Sequence, residues 1–169
     1  MERLGTYTQP FEELGPQRTL YVCSVGTFEG LAEEVQPSSR YFGLFVAMDA
    51  RGVDDRLIRK VADGLVAKGL ASCCVWGPDC QRVHDRLDDA AFVANSLDEG
   101  TDDVIMTTWH DGDTLREALR YFVEGALATP KYEPACTDWI AVSVGNPEWA
   151  SVIRKKLAGM VRRNQSSPE

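Results

Sequence analysis

The chain contains no apolar run approaching the roughly 20 residues that a bilayer-spanning helix requires, so no segment is a candidate transmembrane helix. Its opening residues, MERLGTYTQPFEELG, lack the apolar h-region of a secretory signal, and a cytoplasmic location is expected. CxxC pairs are absent and the five cysteines are an odd number, so they read as reduced thiols instead of a disulfide framework. Neither GxGxxG nor GxxxxGK(S/T) occurs. The glycines therefore form no phosphate cradle, and no nucleotide cofactor is expected. Histidine is scarce, so any imidazole chemistry falls to His84 and His110. Bases are outnumbered by acids, 18 against 26, for a net charge of −8. That balance opposes nonspecific nucleic-acid binding, which runs on a basic surface. It suits a basic protein, a cationic small molecule or a metal ion as partner. No internal repeat is evident.

What is present fits a single globular domain. The 169 residues can bury a substantial core, and 44% hydrophobic against 26% charged content is ordinary for a folded protein. The densest chemistry lies in residues 102–126, DDVIMTTWHDGDTLREALRYFVEGA. An apolar run through Val104, Ile105 and Met106 continues to Trp109 and predicts a buried strand. His110, Asp111, Gly112 and Asp113 are turn and cap residues. Leu115, Leu119, Phe122, Val123 and Ala126 then recur at helical spacing. Thr114 and Glu117 have capping-box spacing, and Asp113 is an equally good N-cap.

The same alternation runs through the chain. Strands are predicted at 41–48 (YFGLFVAM), 71–76 (ASCCVW), 104–109 and 139–144 (WIAVSV). Helices are predicted from Asp54 or Asp55, with Gly69 as C-cap, and from Gly77-Pro78-Asp79 with Pro in its tolerated first turn. A third starts at Asp113 or Thr114, and a last one follows Asn146-Pro147-Glu148. Residues 91–94 fit either the end of the second helix or a short strand, and 96–101 form a polar connection. Residues 1–40 read as an N-terminal arm whose segment 19–25 (TLYVCSV) is a candidate edge strand. Residues 41–163 form the α/β domain, and 164–169 a disordered tail. Apolar strands alternating with amphipathic helices imply a mostly parallel sheet with right-handed crossovers. The expected fold is a single-domain three-layer α/β sandwich of four to five strands, Rossmann-like or flavodoxin-like.

In such a sheet the strand-to-helix turns share the carboxyl edge, where open α/β sheets bind ligands. Four turns would bring there Asp49, Asp54 and Asp55, then Trp76, Asp79, Cys80 and His84, then Trp109, His110, Asp111 and Asp113, then Asn146, Glu148 and Trp149. The helix starts already hold acids, so an anionic ligand is disfavoured without a bridging metal. Cys80 and His84, at i and i+4, share a helix face. With His110 and Asp111 they suggest a Cys/His/Asp nucleophile set or a metal site. Against this stands a plain reading in which Cys80 packs and His84 caps or faces solvent. Asp49, Asp111 and Glu148 suit Mg²⁺ with water, or else ordinary helix capping. A divalent metal is the one cofactor class these residues could hold. Trp76, Trp109 and Trp149 are either marginal core or an aromatic surface beside acids, suited to a cation or a basic side chain.

The stretches VWGPDC (75–80) with His84 and Asp85, TTWHDG (107–112) and DWIAVSVGNPEW (138–149) resemble an uncharacterised family of small α/β proteins, a domain of unknown function. The resemblance spans about 41–157. It implies a bacterial, cytoplasmic, single-domain protein and brings no activity. On the residues themselves the leading expectation is a non-catalytic binding module. Its acidic, tryptophan-bearing carboxyl edge would hold a basic protein partner or cationic ligand. The competing expectation is a hydrolase or transferase with a Cys/His/Asp or metal-assisted site at that edge. Nucleic acid and membrane are not expected as partners.

Overall fold

A computed structural model of the chain describes residues 1–9, 17–96 and 104–166, the side chains of 95 and 96 excepted. One six-stranded sheet holds β1 (Glu2–Tyr7), β2 (Arg18–Val25), β3 (Tyr41–Ala47), β4 (Leu70–Trp76), β5 (Met106–His110) and β6 (Cys136–Val144). The helices are α1 (Leu31–Glu34), α2 (Asp55–Ala67), α3 (Cys80–Ser96), α4 (Leu115–Glu124) and α5 (Pro147–Ser166). The strand order is β1-β2-β6-β3-β4-β5. Among the described residues only β1 runs antiparallel, against β2. No helix among the described residues is long and apolar enough to cross a membrane.

The order explains the layers. From β3 the chain steps to β4 and then β5, and α2 and α3 pack together on one face. It then returns past β4 and β3 to insert β6 beside β2. Crossovers of one hand place the helix of a reversed step on the opposite face. There α4 packs with α5. Aromatic residues fill this second interface: Phe122 of α4 lies 5.6 Å from Phe45 and 5.1 Å from Trp139, ring centre to ring centre. Gly43 makes room, because a Cβ on it would come within 2.5 Å of the Trp139 ring.

Six strands replace the expected four to five, and the difference lies in the first 40 residues. Segment 18–25 is an inner strand, paired on both sides by β1 and β6. Its Tyr21 and Cys23 stay half-buried, since α1, at four residues, is too short to cover them fully. That partial cover gives β2 an edge-like pattern. The true edge, β1, was not expected at all. Its ERLGTY sequence has no apolar run, and α5 packs against it. The boundary expected at residue 40 thus does not divide the sheet.

Arg18 fastens this N-terminal region. It is 2% exposed, its guanidinium lies 3.6 Å over the Trp139 ring, and it donates to the Phe122, Val123 and Ala126 carbonyls at the end of α4. Those carbonyls lack intrahelical partners, and a cation also complements the helix's negative end. Burial lowers its pKa to about 10.

Local signals mostly hold. Asp54 caps α2, accepting from the Arg56 N–H at 2.8 Å. Thr114, not Asp113, caps α4, with the full capping box to Glu117. The C-cap of α2 is Lys68, with Gly69 following at φ +95°. α3 begins at Cys80, after Asp79 in the left-handed region at φ +63°, so Pro78 lies ahead of the helix. α3 continues through 91–94, which settles that ambiguity as helix. α5 takes in 164–166, expected as tail. There Asn164 exchanges two 2.8 Å hydrogen bonds with the Thr8 backbone. Residues 97–101 and 167–169 lie outside the described residues.

Candidate functional site

The expected convergence is only partial, and β5 shows why. Successive strand residues point to opposite faces. Thr107 and Trp109 face α3, whereas Thr108 and His110 face α4. His84, 7% exposed, sits on the α3 side. Its Nε2 is 3.1 Å from the Thr107 hydroxyl, its Nδ1 3.2 Å from the Asp85 carboxylate, and its ring 4.6 Å from Trp109. Asp88 approaches the same Nε2 at 3.6 Å and accepts from the Thr107 hydroxyl. His110, 8% exposed, sits on the other side. Its Nδ1 is 2.7 Å from Asp113, its Nε2 3.2 Å from the Thr108 hydroxyl, and its ring 4.9 Å from Tyr121. The two imidazoles thus share no partner.

Cys80 joins neither. It is fully buried, and burial raises its pKa despite a hydrogen bond from the His110 backbone. A protonated thiol is a poor nucleophile. The expected Cys80/His84/His110/Asp111 set is therefore not assembled. Among the described residues no group of three or more His, Cys, Asp or Glu is placed to hold a metal ion.

Several rim acids are already paired. Asp49 accepts from Arg51 at 2.5 and 2.9 Å, and that hydrogen bonding lowers its pKa to about 2. Asp79 accepts from Arg82 Nε at 2.8 Å, and Asp55 from Arg82 Nη1 at 2.5 Å. Arg82 also donates to the Ala50 and Val53 carbonyls, binding the loop after β3 to the start of α3. Backbone bonds Met48 N–H to Trp76 O (3.0 Å) and Ala50 N–H to Pro78 O (2.9 Å) close the same gap. Gly77 is required there: φ is +118°, and a Cβ would sit 2.1 Å from the Met48 oxygen.

Trp76 and Trp149 do meet, edge to face at 5.1 Å. Trp76 Nε1 donates to the Asp113 carbonyl at 2.8 Å. Asn146 caps α5, its Oδ1 accepting from the Glu148 and Trp149 amides at 3.0 Å each. Because β3 lies between β4 and β6, this pair bridges the crevice at the end of β3. Trp109 stands apart, 43% exposed, at the end of β5. Asp111 and Glu148 are exposed and carry no ion pair among the described residues. Asp49, Asp111 and Glu148 hence do not form the Mg²⁺ cluster considered from sequence.

Sequence reasoning passed over Thr107, Thr108, Asp85, Asp88, Tyr121 and Arg82 as partners, and placed Asp113 at the edge and as a cap without pairing it to His110. The i, i+3 spacing of His110 and Asp113 was a usable signal. So was the alternation that sends two adjacent threonines to opposite faces.

The match to known families covers the sheet from β2 to near the end of α5. The family model for a domain of unknown function, DUF7684, aligns with residues 20–160. The chain belongs to this family. The match takes in β2, which the resemblance seen in the sequence had left outside. No curated protein matches the chain.

Proposed function

We propose that this DUF7684 protein is a non-catalytic binding module that holds a basic protein partner or cationic ligand through acids and tryptophan at the carboxyl end of the sheet. One observation carries the reading. Trp109 is 43% exposed and packs at a 60° tilt against His84, itself held by Asp85 and Asp88, while Asp111 stands exposed two residues on. An indole face beside carboxylates attracts a guanidinium or ammonium group. The surface is narrower than the whole rim, because Asp49 and Asp79 are occupied by Arg51 and Arg82. The architecture supports placing the domain beside Rossmann-like and flavodoxin-like sandwiches, since helices cover both faces and the crossovers reverse between β5 and β6. Its strand order, β1-β2-β6-β3-β4-β5, is neither of their two common orders. Five unpaired cysteines support a cytoplasmic location.

The test is titration with an octa-arginine peptide, followed by tryptophan fluorescence at low and high salt. Salt-sensitive binding that Trp109→Ala weakens severalfold and Trp76→Phe leaves intact supports the reading. Binding absent at low salt removes it.

A second reading, a hydrolase or transferase, draws on one arrangement. Thr108 hydroxyl, His110 imidazole and Asp113 carboxylate stand in the order of a nucleophile, base and orienting acid. The Thr108 hydroxyl also hydrogen-bonds the Cys74 thiol in the core. Labelling by a fluorophosphonate probe that Thr108→Val abolishes would support it. An unlabelled protein would remove it.

A further inference from the structure

β5 ends the sheet, and among the described residues no strand pairs with its outer side. Natural edges are blunted by charge, proline or a bulge. The strand Met-Thr-Thr-Trp-His has no proline and no Lys, Arg, Asp or Glu, and its pairing with β4 is regular. Apolar side chains beside it are open: Val104 is 48% exposed, Met106 40% and Trp109 43%, with Phe92 at 75% on α3. Phe92, Val104, Ile105 and Met106 line a groove of about 590 Å³ with Asp88 on its wall.

The net charge of the chain is concentrated in the stretch of sequence that contains this strand. Residues 85–113 hold nine carboxylates and one base, Arg86, while the other 140 residues hold 17 of each. The whole net charge thus belongs to one segment. Within it the side chains of Asp85 and Asp88 are 55% and 51% exposed. A second copy of the chain would set this acidity against itself, and like charges across a strand pair are destabilising.

We propose that β5 accepts an extended basic polypeptide as a seventh strand. The guest main chain pairs with the open edge, its apolar side chains enter the groove beside Phe92 and Met106, and its Lys or Arg side chains meet Asp85, Asp88 and Asp111. Backbone hydrogen bonds supply affinity and alternate side chains supply specificity in this mode. The proposal rests on the basic-partner reading above and names how that partner is held.

The probe is a decapeptide of Lys-Thr-Val-Thr repeat, which sets Lys and Val in turn along the one face that meets α3, compared with a copy N-methylated at every second residue along one edge. The readouts are peptide affinity and amide hydrogen exchange of the full chain. The expected result is salt-sensitive binding that slows exchange across Met106–His110. N-methylation, or Met106→Lys in a protein of unchanged circular dichroism, weakens it at least about tenfold. Equal affinity of both peptides, or binding without slowed exchange in β5, overturns strand addition while leaving a basic partner held by side chains. No binding of either peptide overturns it too, and octa-arginine binding then decides whether the broader reading survives. Slowed exchange in β5 that rises with protein concentration, without peptide, assigns the edge to a second copy and also overturns the proposal.

Discussion

His84 and His110 occupy opposite faces of the same strand, each gripped by one of two adjacent threonines. Thr107 meets His84 under α3, and Thr108 meets His110 under α4. The pleat of β5 separates them, and a carboxylate satisfies the Nδ1 of each. Each imidazole is therefore part of its own packing network, and a joint catalytic role has no geometric basis.

Independence of the two networks is measurable. Residues without shared partners have additive effects, within about 0.3–0.5 kcal/mol, whereas members of one network couple more strongly. His84→Ala and His110→Ala each remove a nearly buried imidazole and its hydrogen bonds to partly exposed partners, at roughly 0.5–1.5 kcal/mol per bond. In a denaturant double-mutant cycle their coupling is expected to stay below about 0.5 kcal/mol. A coupling of 1 kcal/mol or more, on the same scale, would mean that the faces communicate.

Much of the fold was legible because its signals are local. The apolar runs of β3, β4 and β6 are buried on both faces, and the caps Asp54, Thr114 and Asn146 act within three residues of chain. What escaped depends on distant pairing. β1 exists because β2 supplies its hydrogen bonds and α5 covers it, and neither relation marks ERLGTY itself. Arg18 looks like a strand-end surface residue until α4 brings three carbonyls to it. At the site, the turns and their residue types could be read, but strand parity decides which side chains meet. Without the final register of β5, Thr107 and Thr108 could not be assigned to a face. The ion pairs of Arg51 and Arg82 likewise turned apparent ligand-binding acids into structural ones.

Alkali should unfold the protein before it affects most exposed charges. Burial raises Cys74 and Cys136 from the ordinary thiol value of 9.0 to about 12, and raises Cys73 well above it. The folded chain keeps these protons while the unfolded chain loses them. Stability therefore falls as pH rises from about 9 towards about 12, by about 1.4 kcal/mol per pH unit for each thiol. Arg18 works in the opposite sense, since its lowered pKa favours the folded state as pH rises, but only above about 10. Between pH 9 and 10 the thiols decide. Thermal midpoints should drop across that interval, and Cys136→Ala should make the drop shallower. A midpoint that is flat from pH 8 to 10 would contradict this account.

The join between β3 and β4 should be intolerant of a single methyl group. Gly77→Ala drives a Cβ into the Met48 carbonyl from a φ that L-residues avoid, costing on the order of 3 kcal/mol or more. Neighbouring Asp79 also has positive φ, which Asn tolerates well. Asp79→Asn should cost under about 1 kcal/mol, the worth of one exposed ion pair to Arg82. Chemical denaturation of the two variants should separate them clearly, and comparable losses would mean that the close approach of Gly77 is not what holds the loops.

The acids differ in what they can offer a partner, and the difference is testable one carboxylate at a time. Asp49 and Asp79 face Arg51 and Arg82, so neutralising them frees a cation as well as removing an anion. Asp85 borders His84 but keeps its side chain 55% exposed, and Asp111 carries no ion pair among the described residues. Charges at the margin of an interface act mainly on association rate and salt dependence. Asp111→Asn and Asp85→Asn should each lower affinity for octa-arginine by roughly twofold to fivefold, equivalent to about 0.5–1 kcal/mol, and flatten its salt dependence. Asp49→Asn should weaken binding no more than these, because the released Arg51 repels the peptide only from the far side of β4. Stopped-flow association rates at two salt concentrations read the effect directly. If all three substitutions act alike, the peptide is sensing net charge alone, and the β5 end of the sheet has no special claim on it.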